Sequence, residues 1–561
     1  MGWIRKRCEK GCNELNRQQI AKITALALCA MVAACTKTGG GGGTGGRLNS
    51  WTVPHVLRFE DAGDLSSLNP HLAQFADVGY LSSLTMAWLV KWDVNNRPYP
   101  ELATQIPSKA NGGVSRDGLT ITYHIRRGVK WSDGVPFNAD DVVFSTHVVL
   151  NPANNEVGRL GWDRIVKIDE PDKYTVVYHL KKPYSPFVET FFSSAGANPC
   201  ILPKHLLAQY PNINHVAYNS LPVGIGPFKY KQWQRATRVV LVANSLYWRG
   251  LPKLHEIEYL IVPDRNTVLT QLQAHQFDMY PLVPGNYLSR VQAVSGYGID
   301  RIVAYWYNHV DFNLNSVRLQ DVAVREALRL AMDRATLREK VGHNLGFLQE
   351  QAAARTSPYW NPAIKMVPFD VAQANSLLDR AGWKLGADGV RAKNGVKLHL
   401  TVAAISGLPD VDTGNELMRA WWKQIGVTIE IKHYPTALFF APMQQGGILY
   451  GGKWDVTEFA WLNDPLGDYS PIYACGSVPP NGQNVLHWCD PKANAAMQAL
   501  FTHYDQNQRN SDARTVNEQL VKDVPTIVTL GREDVYAMNK DLHGFVPNAI
   551  TPFDNFMNVD I

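Results

Sequence analysis

The chain has 561 residues, of which 45% are hydrophobic and 19% are charged, as is ordinary for a globular protein. Its formal net charge is +5, but residues 1–35 hold six Lys or Arg and two Glu, so the remainder carries only +1. That remainder lacks the basic footprint of a nucleic-acid-binding protein and is long enough for about two to four domains.

The N-terminal segment predicts export. A basic start leads into an uncharged apolar run over residues 23–32. This run is shorter than the roughly 20 residues that span a bilayer, but it suits a signal-peptide core. The run ends in Val-Ala-Ala-Cys at Cys35, which looks like a bacterial lipobox, and a Gly-rich stretch follows. We therefore predict a lipoprotein signal peptide over residues 1–35, lipidation of Cys35, and a flexible tether over residues 36–50.

The most informative stretch covers residues 115–150. Apolar and polar residues alternate over residues 119–125, which predicts a half-buried strand. A turn at Asp133-Gly134 leads to a helix that opens with Asn138-Ala139-Asp140-Asp141 and carries an apolar stripe as far as Leu150. The stretch therefore consists of a strand, a tight loop and a capped helix, and no nucleophile in it has a base beside it.

This order of strand, loop and capped helix closely resembles the signature stretch of the family 5 extracellular solute-binding proteins, the peptide, dipeptide, nickel and oligosaccharide receptors of ABC importers. Six further segments resemble the same family in the same order: residues 67–70, 100–103, 224–228, 244–248, 324–334 and 370–383. The resemblance implies an α/β fold of the two-lobed periplasmic-binding-protein-like kind (type 2), with an additional small domain in the first lobe.

The resemblance also implies a division of the chain. Lobe one is predicted to contain residues 51–92, 222–312 and 532–561, the additional domain residues 93–221, and lobe two residues 313–531. Helices predicted at 321–333, 370–383 and 416–425 alternate in lobe two with strands at 398–403 and 427–431, as in an α/β layer structure. The lobes are expected to close by a hinge near residues 307–315 and 525–535.

The predicted ligand site follows a strand that ends at Trp461, because ligands of open α/β sheets bind beyond the carboxyl ends of strands. In the peptide-binding relatives, an aspartate of the following loop binds the α-ammonium group of the peptide. The resemblance assigns this role to Asp464, with Asp468 second and Asn463 beside them. Because Asp-Pro is also an ordinary turn pair, a purely structural role is the alternative.

Other candidate ligand contacts are aromatic or belong to the first lobe. Trp306, Phe459 and Trp461, together with Tyr305, offer flat apolar surface for peptide side chains or sugar rings, with core packing as the alternative. Asn69 belongs to a loop that lies at the cleft in the family. The dipeptide receptors carry an arginine after the strand that corresponds to 398–403, but residues 405–416 contain no Arg or Lys. A longer peptide, a neutral ligand or a sugar therefore fits at least as well as a dipeptide.

Three cysteines follow the lipobox. Cys475 and Cys489 bracket a loop with two prolines and two glycines, and in an exported protein this spacing predicts a disulfide, with two reduced thiols as the alternative. A cysteine pair here also resembles that of the dipeptide-binding members. Cys200 is then left unpaired and is expected to be a buried apolar residue.

The resemblance implies a substrate-binding lipoprotein of an ABC importer. It would capture an oligopeptide or dipeptide at the periplasmic or extracytoplasmic face of the membrane and deliver it to the permease. An oligosaccharide receptor of the same fold, an extracellular hydrolase, and an adhesion or chaperone-like role are the alternatives. The chain has no HExxH, GxSxG or SxxK motif, and its sixteen histidines lack metal-ligand spacing. We expect a monomeric, membrane-anchored binding protein without enzyme activity, metal, cofactor or nucleic-acid partner.

Overall fold

The structure, a computed structural model, describes residues 48–561 except 62–64, 74–75, 96, 157, 160, 196–198, 464 and 466. The predicted signal peptide, Cys35 and most of the predicted tether therefore lie outside the described residues, as does Asp464. From Asn49 to Ile561 the chain forms one compact unit.

The chain enters this unit through a buried strand. The first elements are β1 (Val56–Asp61), α1 (Ala76–Thr85), β2 (Val90–Trp92) and β3 (Pro98–Pro100). Leu57 and Phe59 of β1 are fully buried, as expected for a central strand. The helix predicted over residues 78–89 ends earlier, at Thr85. The next four side chains alternate between two apolar clusters, because Met86 and Trp88 pack into one and Ala87 and Leu89 into the core of the small domain.

A small antiparallel domain follows. Its elements are β4 (Thr120–His124), α2 (Ala139–Leu150), β5 (Ile165–Asp172), β6 (Thr175–Leu180), α3 (Phe187–Thr190) and α4 (Lys204–Leu207), with strand order β4-β6-β5. Asn138 caps α2 as predicted: its side chain accepts from the Asp140 N–H at 2.8 Å. Leu150 is an exception to the predicted stripe, because it ends the helix and is exposed. The core around this sheet also takes Ala87, Leu89 and Ile225 from outside residues 93–221.

The chain then returns to the sheet of β1. The elements are β7 (Phe228–Gln234), β8 (Arg238–Ala243), β9 (Glu256–Ile261), α5 (Arg265–Gln273), β10 (Met279–Tyr280), α6 (Gly285–Gln292) and β11 (Tyr297–Phe312). β1 lies between β10 and β9 and is parallel to both. We call this half of the sheet, from β10 through β1, β9 and β8 to β7, with its helices, the first lobe.

The second lobe contains residues 313–525. Its elements are α7 (Val322–Leu330), α8 (Arg334–Lys340), β12 (Phe347–Leu348), α9 (Val371–Arg380), β13 (Lys384–Leu385), β14 (Arg391–Lys393), β15 (Val396–Lys397), β16 (His399–Ile405), α10 (Pro409–Lys423), β17 (Thr428–Tyr434), α11 (Thr436–Phe439), α12 (Ile448–Gly451), β18 (Val456–Leu462), α13 (Ser470–Tyr473), α14 (Pro491–Leu500) and α15 (Gln506–Asp523). The helix predicted from residue 416 begins earlier, at Pro409, a residue type that favours the first helical position.

Two long strands join the lobes. β19 (Thr526–Asn539) pairs with β11, with β12 and with β10, and β11 also pairs with β18. Within the described residues the sheet has eleven strands in the order β17-β16-β18-β11-β19-β10-β1-β9-β8-β7, with β12 beside β19. Separate apolar clusters lie in the two lobes.

The three cysteines among the described residues behave as predicted. Cys475 and Cys489 form a disulfide with a Cα separation of 4.7 Å, and Cys200 is free and fully buried. Short 3-10 turns complete the described structure at Trp162–Arg164, Ala217–Ser220, Met443–Gln445 and Phe556–Asn558. Among the described residues, no helix has the length and apolar character required to cross a membrane.

Candidate ligand-binding site

The candidate site lies where the joined sheet bends between the lobes. The β11–β19 register shifts between the pairs Val303–Glu533 and Tyr307–Gly531, so β11 has more residues than β19 in this interval. Such bulges bend a strand and disrupt its ladder. Trp306 is in the bulged interval and 40% exposed, and it is paired with Leu462 at the end of β18. The irregularity falls close to the predicted hinge.

An aromatic cluster lies on one face of the β11–β18 pair, next to the bend. We define it as Tyr307, His309, Phe459 and Trp461, which the antiparallel register places on the same face. The His309 ring centroid is 4.5 Å from that of Phe459, and the Phe459 and Trp461 centroids are 4.9 Å apart. Phe459 is also in edge contact with Phe439 and Phe440. Two of the predicted aromatic residues, Phe459 and Trp461, are thus in contact with each other and with neighbouring rings.

The aromatic cluster and the neighbouring Asp311 contain polar atoms without a hydrogen-bond partner among the described residues. His309 Nδ1 lies 2.8 Å from Asp311 Oδ1, and both side chains are fully buried. In the neutral tautomer that carries its hydrogen on Nδ1, His309 donates to Asp311 and Nε2 is an acceptor. This Nε2, the second Asp311 oxygen and the Trp461 Nε1 donor are all buried without a partner. Leaving such groups unpaired costs about 1–3 kcal/mol each, which a suitable ligand would recover.

Asn463 follows directly after β18 and is anchored by two hydrogen bonds. Its N–H donates to the Tyr305 carbonyl at 2.8 Å, and its Nδ2 donates to the Ala352 carbonyl at 2.5 Å. Its Oδ1 is buried and has no hydrogen-bond partner in the part of the chain that the structure describes. Asn463 therefore brings one acceptor to the end of β18, immediately before Asp464.

The remaining predicted residues take other positions. Asp468 accepts hydrogen bonds from the N–H and Oγ of Ser470, at 2.9 and 2.6 Å, and burial raises the pKa of its carboxyl. Asn69 is fully buried, and its amide donates to Asn219 Oδ1 at 2.9 Å and accepts from the His71 N–H. These contacts favour a structural role for Asn69. Tyr305 is also buried.

Sequence reasoning missed the His309–Asp311 pair. The sequence analysis predicts only a hinge in the segment that contains it. A histidine and an aspartate two residues apart in a strand share one face, so the spacing itself was the available signal. Their burial depends on β18 and β19, which lie more than a hundred residues away in the chain and were not paired with β11 by any local pattern.

The small domain also contacts the second lobe directly. The Tyr504 hydroxyl donates to the Gly118 carbonyl at 3.1 Å and accepts from the Tyr184 N–H at 3.2 Å. The Ser185 hydroxyl donates to the Leu500 carbonyl at 2.5 Å. The Arg164 guanidinium also lies over the Phe501 ring at 4.8 Å. These contacts hold the small domain against the segment between α14 and α15.

Comparisons with known proteins agree on one family. The profile of the middle region of the bacterial extracellular solute-binding proteins, family 5, matches residues 97–483. The oligopeptide-binding protein AppA of Bacillus subtilis is 25% identical over 437 residues, 76% of this chain and 78% of that protein. The dipeptide-binding protein of Escherichia coli is 22% identical over 469 residues, 80% of this chain and 84% of that protein.

A solved structure gives the same result for the fold. The AppA structure from Bacillus subtilis, in complex with a nonapeptide, superposes with a TM-score of 0.72 at 22% identity, and covers 90% of this chain and 98% of that chain. This likeness confirms the predicted α/β, two-lobed fold with its mixed sheet. The family and these relatives are binding proteins. On the evidence of the profile match over most of its length, this chain belongs to the bacterial extracellular solute-binding proteins of family 5.

Proposed function

We propose that this protein is the substrate-binding lipoprotein of an ABC importer and captures a peptide-like solute between its lobes. The observation that carries the proposal is the group of unpartnered polar atoms at the bend: Trp461 Nε1, His309 Nε2 and Asn463 Oδ1. Relatives named for binding oligopeptides and dipeptides support the ligand class. We expect the bound solute to be released unchanged, as from a receptor rather than an enzyme.

A peptide supplies the groups that these atoms lack. Its amide N–H groups suit the acceptors His309 Nε2 and Asn463 Oδ1, and its carbonyl oxygens suit the Trp461 Nε1 donor. Asp464 is the next residue after Asn463. Its carboxylate would bind an α-ammonium group in a charge-assisted hydrogen bond. The rings of Phe459 and Trp461 offer apolar area beside these polar groups.

The chemistry of the site limits the class of peptide. Residues 405–416, which end β16 and begin α10, contain no Arg or Lys to pair with a C-terminal carboxylate. We therefore favour a longer or C-terminally uncharged peptide over a strict dipeptide. A sugar is the second candidate, because stacked aromatic rings also suit sugar faces, and it stays an outcome of the test.

The cellular setting belongs to the same proposal. Residues 1–35 would direct export, Cys35 would carry the lipid, and residues 36–50 would tether the body to the extracytoplasmic face of the membrane. The monomer would close on its ligand around the bulged β11–β19 crossing and then present it to the permease. The division into lobe one, the additional domain and lobe two at the predicted bounds is part of this proposal.

Native and denaturing mass spectrometry of residues 36–561 test the ligand class. We expect an excess mass of a few hundred daltons that disappears on denaturation and fragments as a peptide. Fragmentation as a hexose series would favour the sugar receptor, and recovery of a cleaved product from added ligand would favour a hydrolase. If the protein carries no ligand, a thermal-shift screen of peptides and oligosaccharides replaces this step, and no shift by any solute would contradict the proposal.

Two substitutions then test the site. We expect Asp464→Asn to weaken binding of the identified peptide by about 10- to 100-fold, because a charge-assisted hydrogen bond contributes roughly 1.5–3 kcal/mol. Trp461→Phe retains a ring but removes the Nε1 donor and should weaken binding about tenfold. Trp383→Phe is the matched control, because its Nε1 donates to Asp321 in the second lobe and should affect stability alone. Unchanged affinity in both site variants would remove these residues from the ligand site.

A further inference from the structure

An open cavity of about 650 Å³ lies on the small domain, lined by residues that all fall outside the second lobe. It forms where β4 ends at His124, beside the turn between β5 and β6, and Trp248 covers one side. The Ile125 N–H donates to the Tyr174 carbonyl at 2.9 Å, and the Arg126 N–H donates to the Leu102 carbonyl at 2.8 Å. The backbone that carries the two arginines of this cavity is therefore anchored.

Both arginine side chains are held against aromatic rings. The Arg126 guanidinium carbon lies 4.6 Å from the Trp248 ring centroid, and that of Arg127 lies 4.3 Å from the Tyr174 centroid. Arg126 Nε also donates to the Glu101 carbonyl at 2.5 Å. Cation–π stacking orients a guanidinium without using its N–H donors. The two groups are thus positioned while most of their hydrogen-bonding capacity is left over.

Three of the lining residues keep hydrogen-bond donors without a partner among the described residues. The side chain of Arg127 makes no hydrogen bond or ion pair with any residue that the structure describes. The side chain of Arg126 donates to a described residue only through Nε. The Trp248 Nε1 donor is buried without a partner. The lining therefore offers several N–H donors in fixed positions to a group that only accepts.

The local charge favours an anion as that group. Asp172 is the carboxylate in the lining, and its Oδ1 already accepts from the Tyr174 N–H at 2.8 Å. The carboxylate of Glu101 pairs with Lys91 at 3.5 Å and is not available to Arg126. A third guanidinium, that of Arg249, lies outside the lining but close by, with its carbon 4.6 Å from the Trp248 ring centroid. Arginines therefore outnumber the carboxylates at this cavity.

We propose that this cavity is a second binding site, specific for an oxyanion group such as a phosphate or carboxylate. The free N–H groups of Arg126 and Arg127 would hold two oxygens of the anion, in the planar geometry that guanidinium groups offer. Trp248 Nε1 would donate a further hydrogen bond. The site is separate from the aromatic cluster at the bend, so it is expected to bind whether or not the cleft holds a solute. The same chemistry is found in a free phosphate or organic acid and in a phospholipid headgroup.

The test measures binding to residues 36–561, which contain the whole compact unit but not the lipidation site. Inorganic phosphate and citrate are titrated by calorimetry, and phosphatidylglycerol vesicles are compared with phosphatidylcholine vesicles by sedimentation. We expect saturable binding that Arg127→Gln weakens at least tenfold. Arg116→Gln, which alters an exposed arginine of the same small domain, is the matched control and should bind as the unchanged protein does.

The outcomes distinguish the source of the anion. Arg127-dependent binding of dissolved phosphate or citrate would identify a free anion as ligand. Arg127-dependent binding to the phosphatidylglycerol vesicles alone would identify a headgroup. No saturable binding of any probe, or an Arg127→Gln variant with undiminished affinity, would overturn the proposal. Equal binding to both kinds of vesicle would also overturn it where neither dissolved phosphate nor citrate binds. None of these results depends on whether the cleft binds a peptide.

Discussion

At the scale of single residues, Glu458 is the clearest departure from ordinary behaviour. It lies on β18, on the face opposite the aromatic cluster, and its side chain is 7% exposed. Its Oε2 is buried without a partner. Burial, with a smaller contribution from the charge of Asp410, raises the pKa of Glu458 from 4.5 to about 7. The folded protein therefore favours the protonated carboxyl.

This shift predicts a pH-dependent gain in stability for Glu458→Gln. Between about pH 4.5 and 7 the folded state keeps a proton that the unfolded chain has lost, so the free energy of unfolding falls as the pH rises. The full loss, about 3 kcal/mol, is reached above pH 7. We expect the variant to be more stable than the unchanged protein at pH 8 and equally stable at pH 4.5, as measured by urea unfolding. Glu430→Gln, an exposed glutamate on β17, is the control, and a pH-independent difference would contradict the assignment.

At the scale of elements, the loop between Cys475 and Cys489 depends on its disulfide. Leu486 and Trp488 of this loop pack into a second-lobe core, and the Leu486 carbonyl accepts from the Leu314 N–H at 2.9 Å. Closing a loop of this length stabilises the folded state by about 3 kcal/mol on the chain-entropy account. We expect reduction, or replacement of both cysteines by serine, to lower the free energy of unfolding by about that amount. Reductant should have no further effect on the double variant.

The N-terminus of α2 permits a second test at this scale. Asn138 and Asp141 form a capping box. The Asn138 side chain accepts from the backbone N–H of Asp141, and the Asp141 carboxylate accepts from the backbone N–H of Asn138 at 3.2 Å. Asn138→Ala should lower the free energy of unfolding by about 1 kcal/mol, while Asn138→Ser should retain most of the stability, since serine also caps helices. Thermal unfolding followed by circular dichroism compares the two. Equal losses in both variants would argue against the cap as the cause.

At the scale of the whole molecule, the contact between the small domain and the second lobe should contribute to closure. Tyr504→Phe removes two hydrogen bonds across this contact and retains the ring. At about 1 kcal/mol for each bond, destabilising the closed form should weaken solute binding about 5- to 30-fold. At the same solute concentration, small-angle scattering should also report a larger radius of gyration for Tyr504→Phe than for the unchanged protein. Tyr210→Phe, on the exposed surface of the small domain, controls for the substitution, and unchanged affinity and size would exclude the contact from closure.

Local patterns in the sequence were sufficient to predict several features of this molecule. The cap at Asn138 and the disulfide between Cys475 and Cys489 depend on residues close together in the chain, and the structure confirms both. Family membership could be predicted because many weak motifs stand in one order, and the profile match confirms it. The predicted start of α10, at residue 416, is too late, because the largely polar first turn at Pro409 has no apolar pattern to reveal it.

The candidate site depended on the tertiary structure. The sequence by itself determined the family, the character of segments such as β4 and α2, and which aromatic residues lie near the end of β18. Only the fold decided that β11 and β18 pair with Tyr307 opposite Trp461, that the ladder bulges at Trp306, and that His309 and Asp311 are buried together. The physical reason is that burial, unpaired polar atoms and a raised pKa arise from contacts between segments more than a hundred residues apart, which no local spacing encodes.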